Sequence, residues 1–162
     1  MKLLKYSVFY EHFILEAILW ILSNLFKTIL WTLNYIMSLF ENIRDGKEPS
    51  TIVYKDEYVT AFEDKFPEAP VHILIIPNKK IKSMNHVEEC DELFLGKILL
   101  SANKIAKEKG IGDSGYRLIT NSGKDGGQEI EYLHFHLLGG VPIGRMVGLP
   151  KSSKKIMKDD HS

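Results

Sequence analysis

Two histidines separated by a single residue lie in the stretch Tyr132-Leu133-His134-Phe135-His136-Leu137-Leu138-Gly139-Gly140. Side chains of an extended strand alternate between its faces. Leu133, Phe135 and Leu137 then share a core face, and Tyr132, His134 and His136 share the other. Next-but-one residues on such a face stand roughly 7 Å apart, so both imidazoles can touch one phosphate. One can attack phosphorus while the other binds oxygens or assists the leaving group. Imidazole suits both tasks, because a pKa near neutrality yields either a neutral nucleophile or a protonated acid. A zinc site is a rival reading, since zinc takes imidazole ligands. It needs further ligands; His72, His86 and Cys90 are the nearest soft candidates, with no Cys-x-x-Cys to support them. Two strand histidines without a role are the plainest alternative.

Asn121-Ser122-Gly123-Lys124-Asp125-Gly126-Gly127-Gln128 comes just before this strand. Glycines let a backbone approach a ligand closely and turn successive N–H groups inward, which favours phosphate oxygens. The stretch is not a P-loop, because the Gly-Lys-Ser/Thr ending and the following helix are missing. His72, amid Val, Ile and Leu, reads by itself as a core histidine. Asp64 precedes the Pro67–Pro70 loop, where a carboxylate accepts ribose hydroxyls or caps a turn. Cys90 lies within Glu88-Glu89-Cys90-Asp91-Glu92; these carboxylates raise a thiol pKa, so Cys90 is not expected to be a nucleophile.

The elements that must position these groups are legible in outline. Residues 37–45 read as a short helix ended by Asp45-Gly46. Thr51-Ile52-Val53-Tyr54 and Tyr58-Val59-Thr60-Ala61-Phe62 read as a hairpin. Val71 to Ile76 is a strand closed by Pro77. Residues 87–109 form the main helix, with Gly110 as its C-cap. Tyr116 to Thr120 is a further strand, and Ile130 to Leu138 the last. Strands, a helix and then strands, without βαβ alternation, predict an α+β fold with an antiparallel sheet.

Ahead of this, residues 13–40 are mostly Ile, Leu, Trp, Phe and Tyr, without Gly or Pro. One long helix is expected, with Ile14, Ile18, Ile21, Leu22, Leu25, Ile29, Leu33, Ile36 and Phe40 at helical spacing. Glu16 and Lys27 cut the apolar run into pieces shorter than the roughly 18 residues of a membrane span. An amphipathic helix on a membrane or a partner is the second reading. The third is a start at Met37, where the sequence changes character, which makes residues 1–36 an artefact of translation start. A cleavable signal peptide is not expected, because the apolar region is too long and no small-residue site follows it. The tail, 149–162, is polar and lysine-rich and is expected to be disordered.

The domain motifs resemble the histidine triad family, specifically its Hint branch of nucleoside phosphoramidases. The resemblance rests on Ala61-Phe62-Glu63-Asp64, on Ala69-Pro70-Val71-His72-Ile73-Leu74-Ile75-Ile76-Pro77, and on Gly115-Tyr116-Arg117-Leu118-Ile119-Thr120-Asn121. It continues through Gly126-Gly127-Gln128-Glu129 into Leu133 to Gly140, and covers residues 37–148. It implies an antiparallel sheet that pairs across a homodimer. It implies that His134 attacks the α-phosphorus and becomes nucleotidylated, while His136 and His72 contact phosphate and help the leaving group. Asp64 matches the ribose-binding acid, and Asn121, Gly127 and Gln128 match phosphate-side contacts. No metal or cofactor is implied. The implied substrates are purine nucleoside monophosphates carrying an amine on phosphorus, with aminoacyl adenylates in the same class. Tyr132 stands where the family has its first histidine, in a position that supports the nucleophile. Val141 stands where some members have Arg, and residues 1–36 have no family counterpart.

Composition sets the outer bounds. The chain has 162 residues, 44% hydrophobic and 26% charged, which allows one domain with a real core. With 21 basic and 21 acidic residues the net charge is zero. No basic field points to nucleic acid, so anions must be held by local groups. A single cysteine fits a reducing compartment, and a cytoplasmic location is expected, with membrane attachment through residues 1–36 as the alternative.

Overall fold

A computed structural model describes residues 2–145. Five strands form one antiparallel sheet in the order β1-β2-β3-β5-β4. They are β1 (Ile52–Lys55), β2 (Val59–Glu63), β3 (Val71–Pro77), β4 (Tyr116–Thr120) and β5 (Phe135–Gly139). Two helices accompany them, α1 (Lys2–Arg44) and α2 (Glu92–Glu108). The α+β class and the antiparallel sheet are as the sequence predicts.

The two faces of the sheet are covered by different helices. Val59, Ala61, Ile73, Ile75 and Leu137 pack against Ile98, Ala102, Ile105 and Ala106 of α2. On the other face, Phe62, Leu74, Ile76 and Tyr132 pack against Phe40 and Ile43, at the C-terminal end of α1. β2 and β3 thus contribute alternate residues to two cores, which explains their nearly continuous burial. Arg44 ends α1, and Gly46 takes the left-handed turn beyond it at φ 72°, a conformation that glycine adopts without cost.

Three expectations need correction. Residues 37–44 are not a separate short helix but the last two turns of α1, and the expected boundary at 36/37 falls inside that helix. The main helix begins at Glu92, not residue 87. Ahead of it, Glu88 and Asp91 cap each other's backbone, and the buried Asp91 is tied to Lys79 at 2.6 Å. The last strand begins at Phe135, not Ile130. Before it, Tyr132 N–H turns back to the Ile130 carbonyl and Leu133 N–H bonds the Ile81 carbonyl, so residues 130–134 leave the ladder.

Leu15–Tyr35 is long and apolar enough to cross a membrane by length and composition, and none of that window is buried. Its polar side chains turn inward on their own helix: Asn24 bonds the Trp20 carbonyl, Thr28 that of Asn24 and Thr32 that of Thr28, each at 2.9 Å. The tail at 149–162 lies outside the described residues.

Candidate active site

The site is assembled on β3, on β5 and on the turn that precedes β3. His136 lies opposite Leu74 in the β3–β5 ladder, and His72 opposite Leu138. The two histidines are therefore diagonal neighbours on one sheet face, with His72 Nε2 2.9 Å from His136 Nδ1. His134, one residue ahead of β5, brings its ring to 4.9 Å from that of His136, centroid to centroid. All three sequence-predicted histidines thus converge.

Hydrogen bonds fix where the protons lie. His134 Nδ1 is 2.7 Å from the Tyr132 carbonyl. A carbonyl only accepts, so Nδ1 carries the proton and Nε2 keeps its lone pair. At His72 the logic runs in reverse. The Glu68 N–H donates to Nδ1 at 3.2 Å, which leaves the proton on Nε2, to be given to His136 Nδ1. His136 then carries its own proton on Nε2. One ring offers a lone pair, and its neighbour offers a proton at the end of a two-histidine relay.

Burial disfavours the charged forms of His134 and His136. Desolvation lowers the His134 pKa, partly opposed by the Tyr132 carbonyl and by the negative charges of Asp64 and Glu129. His136 is pushed down to about 4, first by burial and then by His134 and His72.

Asp64 caps the turn, one of the two roles expected of it, and also faces the histidine pair. Its Oδ1 accepts the Phe66 N–H at 2.8 Å and so caps the turn, while Oδ2 faces His72 Nε2 at 3.3 Å. Asn121 is half-buried directly after β4. Beside it the Thr120 hydroxyl donates to the His134 carbonyl at 2.8 Å and ties β4 to the segment that carries His134. The Gly127 and Gln128 N–H groups are engaged inside their own loop, on the Lys124 and Gly123 carbonyls, each at 3.0 Å. The Tyr132 side chain is wholly buried on the sheet face that also carries Leu74 and His136, edge-on to Phe40 with centroids 6.2 Å apart. Its hydroxyl donates to the Pro77 carbonyl at 2.6 Å and accepts from Arg44 Nη1 at 3.3 Å. What reaches His134 is the Tyr132 carbonyl.

The aromatic wall is the part that sequence reasoning missed. Phe40 packs edge-on against His134, with centroids 5.2 Å apart, and against Phe62 at 5.5 Å. Phe40 is visible in the sequence only as the last member of the apolar stripe of α1. Its place beside His134 depends on how that helix docks.

Asp64, His72 and His136 present ligand atoms within 4.8 Å of one another, a set that could hold a divalent ion. Coordination through His72 Nε2 requires a lone pair there, whereas the Glu68 N–H holds the proton on that atom. The tautomer therefore favours a hydrogen-bonded relay over a bound ion. Of the other soft candidates, His86 is engaged by the Ser83 hydroxyl at 2.8 Å, and Cys90 stands exposed on the surface.

The family model of the HIT domain matches residues 45–143. The chain belongs to the HIT family. Purine nucleoside phosphoramidase of Escherichia coli K12 is 49% identical to this HIT protein over 110 residues, covering 68% of this chain and 92% of that protein. Among solved structures, the HIT family hydrolase from Legionella pneumophila Philadelphia 1 superposes with a TM-score of 0.66 at 43% identity, over 68% of this chain and 98% of that one. A HIT family hydrolase from Clostridium thermocellum gives 0.66 at 45% identity, over 68% and 96%. The likeness expected from the motifs is borne out, and the matches lie on the domain that carries the three histidines.

Proposed function

We propose that this HIT protein hydrolyses purine nucleoside phosphoramidates and aminoacyl adenylates through a nucleotidyl intermediate on His134. The observation that carries this reading is the fixed tautomer of His134, with its proton held on the Tyr132 carbonyl and its Nε2 lone pair free. Nε2 attacks the α-phosphorus, the P–N bond breaks, and the departing amine takes a proton from His136 Nε2. His136 recovers that proton from the water that attacks in the second step, while His72, donating to it at 2.9 Å and facing Asp64 at 3.3 Å, orients the ring. Water then attacks phosphorus, the P–Nε2 bond breaks, and the nucleoside monophosphate leaves. Asp64 also accepts the ribose hydroxyls and Asn121 contacts the phosphate, whereas the Gly127 and Gln128 N–H groups are already taken within their own loop. The 49% identical relative bears the name of this activity.

The test is hydrolysis of a fluorogenic adenosine phosphoramidate, with EDTA present, by wild type and His134→Ala. The expected result is turnover that survives EDTA and vanishes in the variant while nucleotide binding remains. Turnover retained by His134→Ala would refute covalent catalysis at that residue. Purine nucleotide bound by a wild type that never turns over would instead favour a binding module with little catalysis.

The working unit of this reading is a homodimer. It is supported by β4, which lies at an edge of the sheet, and by Leu93, Leu99 and Leu100, exposed on α2. The domain is assigned to the reducing cytoplasm, which suits its lone thiol. A second reading, attachment to a membrane through Leu15–Tyr35, is favoured by the absence of any protein cover over that window.

A further inference from the structure

The apolar stripe of α1 runs without a break from its exposed window into the core of the domain. Leu22, Leu25, Ile29, Leu33, Phe40 and Ile43 follow one another at spacings of three, four and seven residues and so share one side of the helix. Phe40 and Ile43 are buried against the sheet, whereas Leu22, Leu25, Ile29 and Leu33 are exposed. A flat surface that received the exposed part would have to lie on the side of the helix where the sheet already stands. Leu33 and Phe40 are only about 10 Å apart along the axis, so a helix lying along a bilayer would press the domain into it. The helix cannot swing away from the sheet at this point without breaking contacts. Besides Phe40 and Ile43, Arg44 Nη1 donates to the Asn78 carbonyl at 2.7 Å, and Glu41 pairs with Lys80 at 2.5 Å.

The side opposite the stripe is not a solvated face either. Trp20 and Trp31 lie there, three turns apart, and are 70% and 68% exposed. Between the two sides, Asn24, Thr28 and Thr32 donate to carbonyls four residues back at 2.9 Å, which satisfies them without water, as a hydrocarbon surrounding requires. Lys27 is the one charge away from the ends of the window. Its long stem and local thinning of a bilayer lower the cost of holding it there. The 21 residues of Leu15–Tyr35 extend over roughly 32 Å, against a hydrocarbon core of about 30 Å.

We propose that α1 crosses a lipid bilayer through Leu15–Tyr35, rather than lying on its surface, and holds the HIT domain at the face from which the helix emerges. This rests on the attachment reading above and fixes its geometry. A crossing helix is surrounded by lipid on every side, so the stripe, the tryptophans and the self-satisfied polar side chains are all accommodated, and the domain stays in water.

The test uses the full chain with Lys5→Cys beside its natural Cys90, which is exposed on the domain. The protein is reconstituted into phosphatidylcholine vesicles, floated through a density gradient and treated with a membrane-impermeant maleimide. A crossing helix places the two thiols on opposite sides of the bilayer. Each floated molecule is then expected to gain one adduct by intact mass, whichever way it is inserted, and two once detergent opens the vesicles. Molecules that carry two adducts or none on sealed vesicles would have both thiols on one side; this would overturn the crossing and leave attachment standing. Protein that stays at the bottom of the gradient, alone or assembled with a second copy over the stripe, would overturn attachment and crossing together.

Discussion

His134 and His136 are held neutral in the folded protein, whereas an exposed histidine takes up its proton near pH 6.5. Below that pH the unfolded chain binds more protons than the native one. The stability these rings contribute is therefore fully present above pH 6.5 and is lost as pH falls toward the His136 value of about 4. The slope is up to about 1.4 kcal/mol per pH unit for each ring. Urea unfolding at pH 7 and pH 5 should show the lower midpoint at pH 5; equal midpoints would mean that the rings are not protected. Tyr132→Phe separates the two ends of that residue. It removes the hydroxyl from the Pro77 carbonyl and from Arg44 but keeps the backbone carbonyl on His134 Nδ1. The expected cost is about 1–2 kcal/mol in thermal or urea unfolding, with kcat nearly unchanged. A hundredfold fall in kcat would show that the hydroxyl itself supports the nucleophile. The three histidines were legible because His72 and His136 obey strand alternation and the motifs name the third. What was not legible is that Tyr132 meets His134 through its carbonyl, because its hydroxyl is taken by Pro77 and Arg44, partners far away in the sequence.

At the level of elements, each strand appears in the sequence within a residue or two except β5. The start of α2 was obscured because residues 84–91 hold apolar and acidic groups at nearly helical spacing, yet form two single 3₁₀ turns around the buried Asp91. The outer face of α2 carries Leu93 and Leu100 one heptad apart, with Gly96 between them and no atom within 4 Å of where its Cβ would lie. A helix face this open and apolar suits a second copy of the chain, beside the free edge of β4. Leu100→Glu places a charge on that surface. Sedimentation equilibrium in a mild detergent, which keeps α1 covered, should show a dimer for wild type and a monomer for the variant. A wild-type monomer would remove the homodimer from the proposal.

On the scale of the whole molecule, one helix joins two environments. Its last two turns pack on the sheet and touch His134 through Phe40, while none of the window Leu15–Tyr35 is buried. At about 1.5 Å per residue, the five residues from Tyr35 to Phe40 span roughly 8 Å, so a bilayer around the window would lie close beside the catalytic site. The full chain mixed with phosphatidylcholine vesicles is expected to float with them through a density gradient; protein left at the bottom would refute the attachment. The sequence showed this helix clearly, since its apolar stripe needs no tertiary information, but not that it continues unbroken into the domain. The two tryptophans of the chain, Trp20 and Trp31, both lie on its exposed stretch. The catalytic domain therefore contributes no indole emission, and light excited from tryptophan reports on the surroundings of the helix alone. A blue shift on adding lipid would register burial of that stretch, and the same signal would stay silent when a nucleotide enters the site.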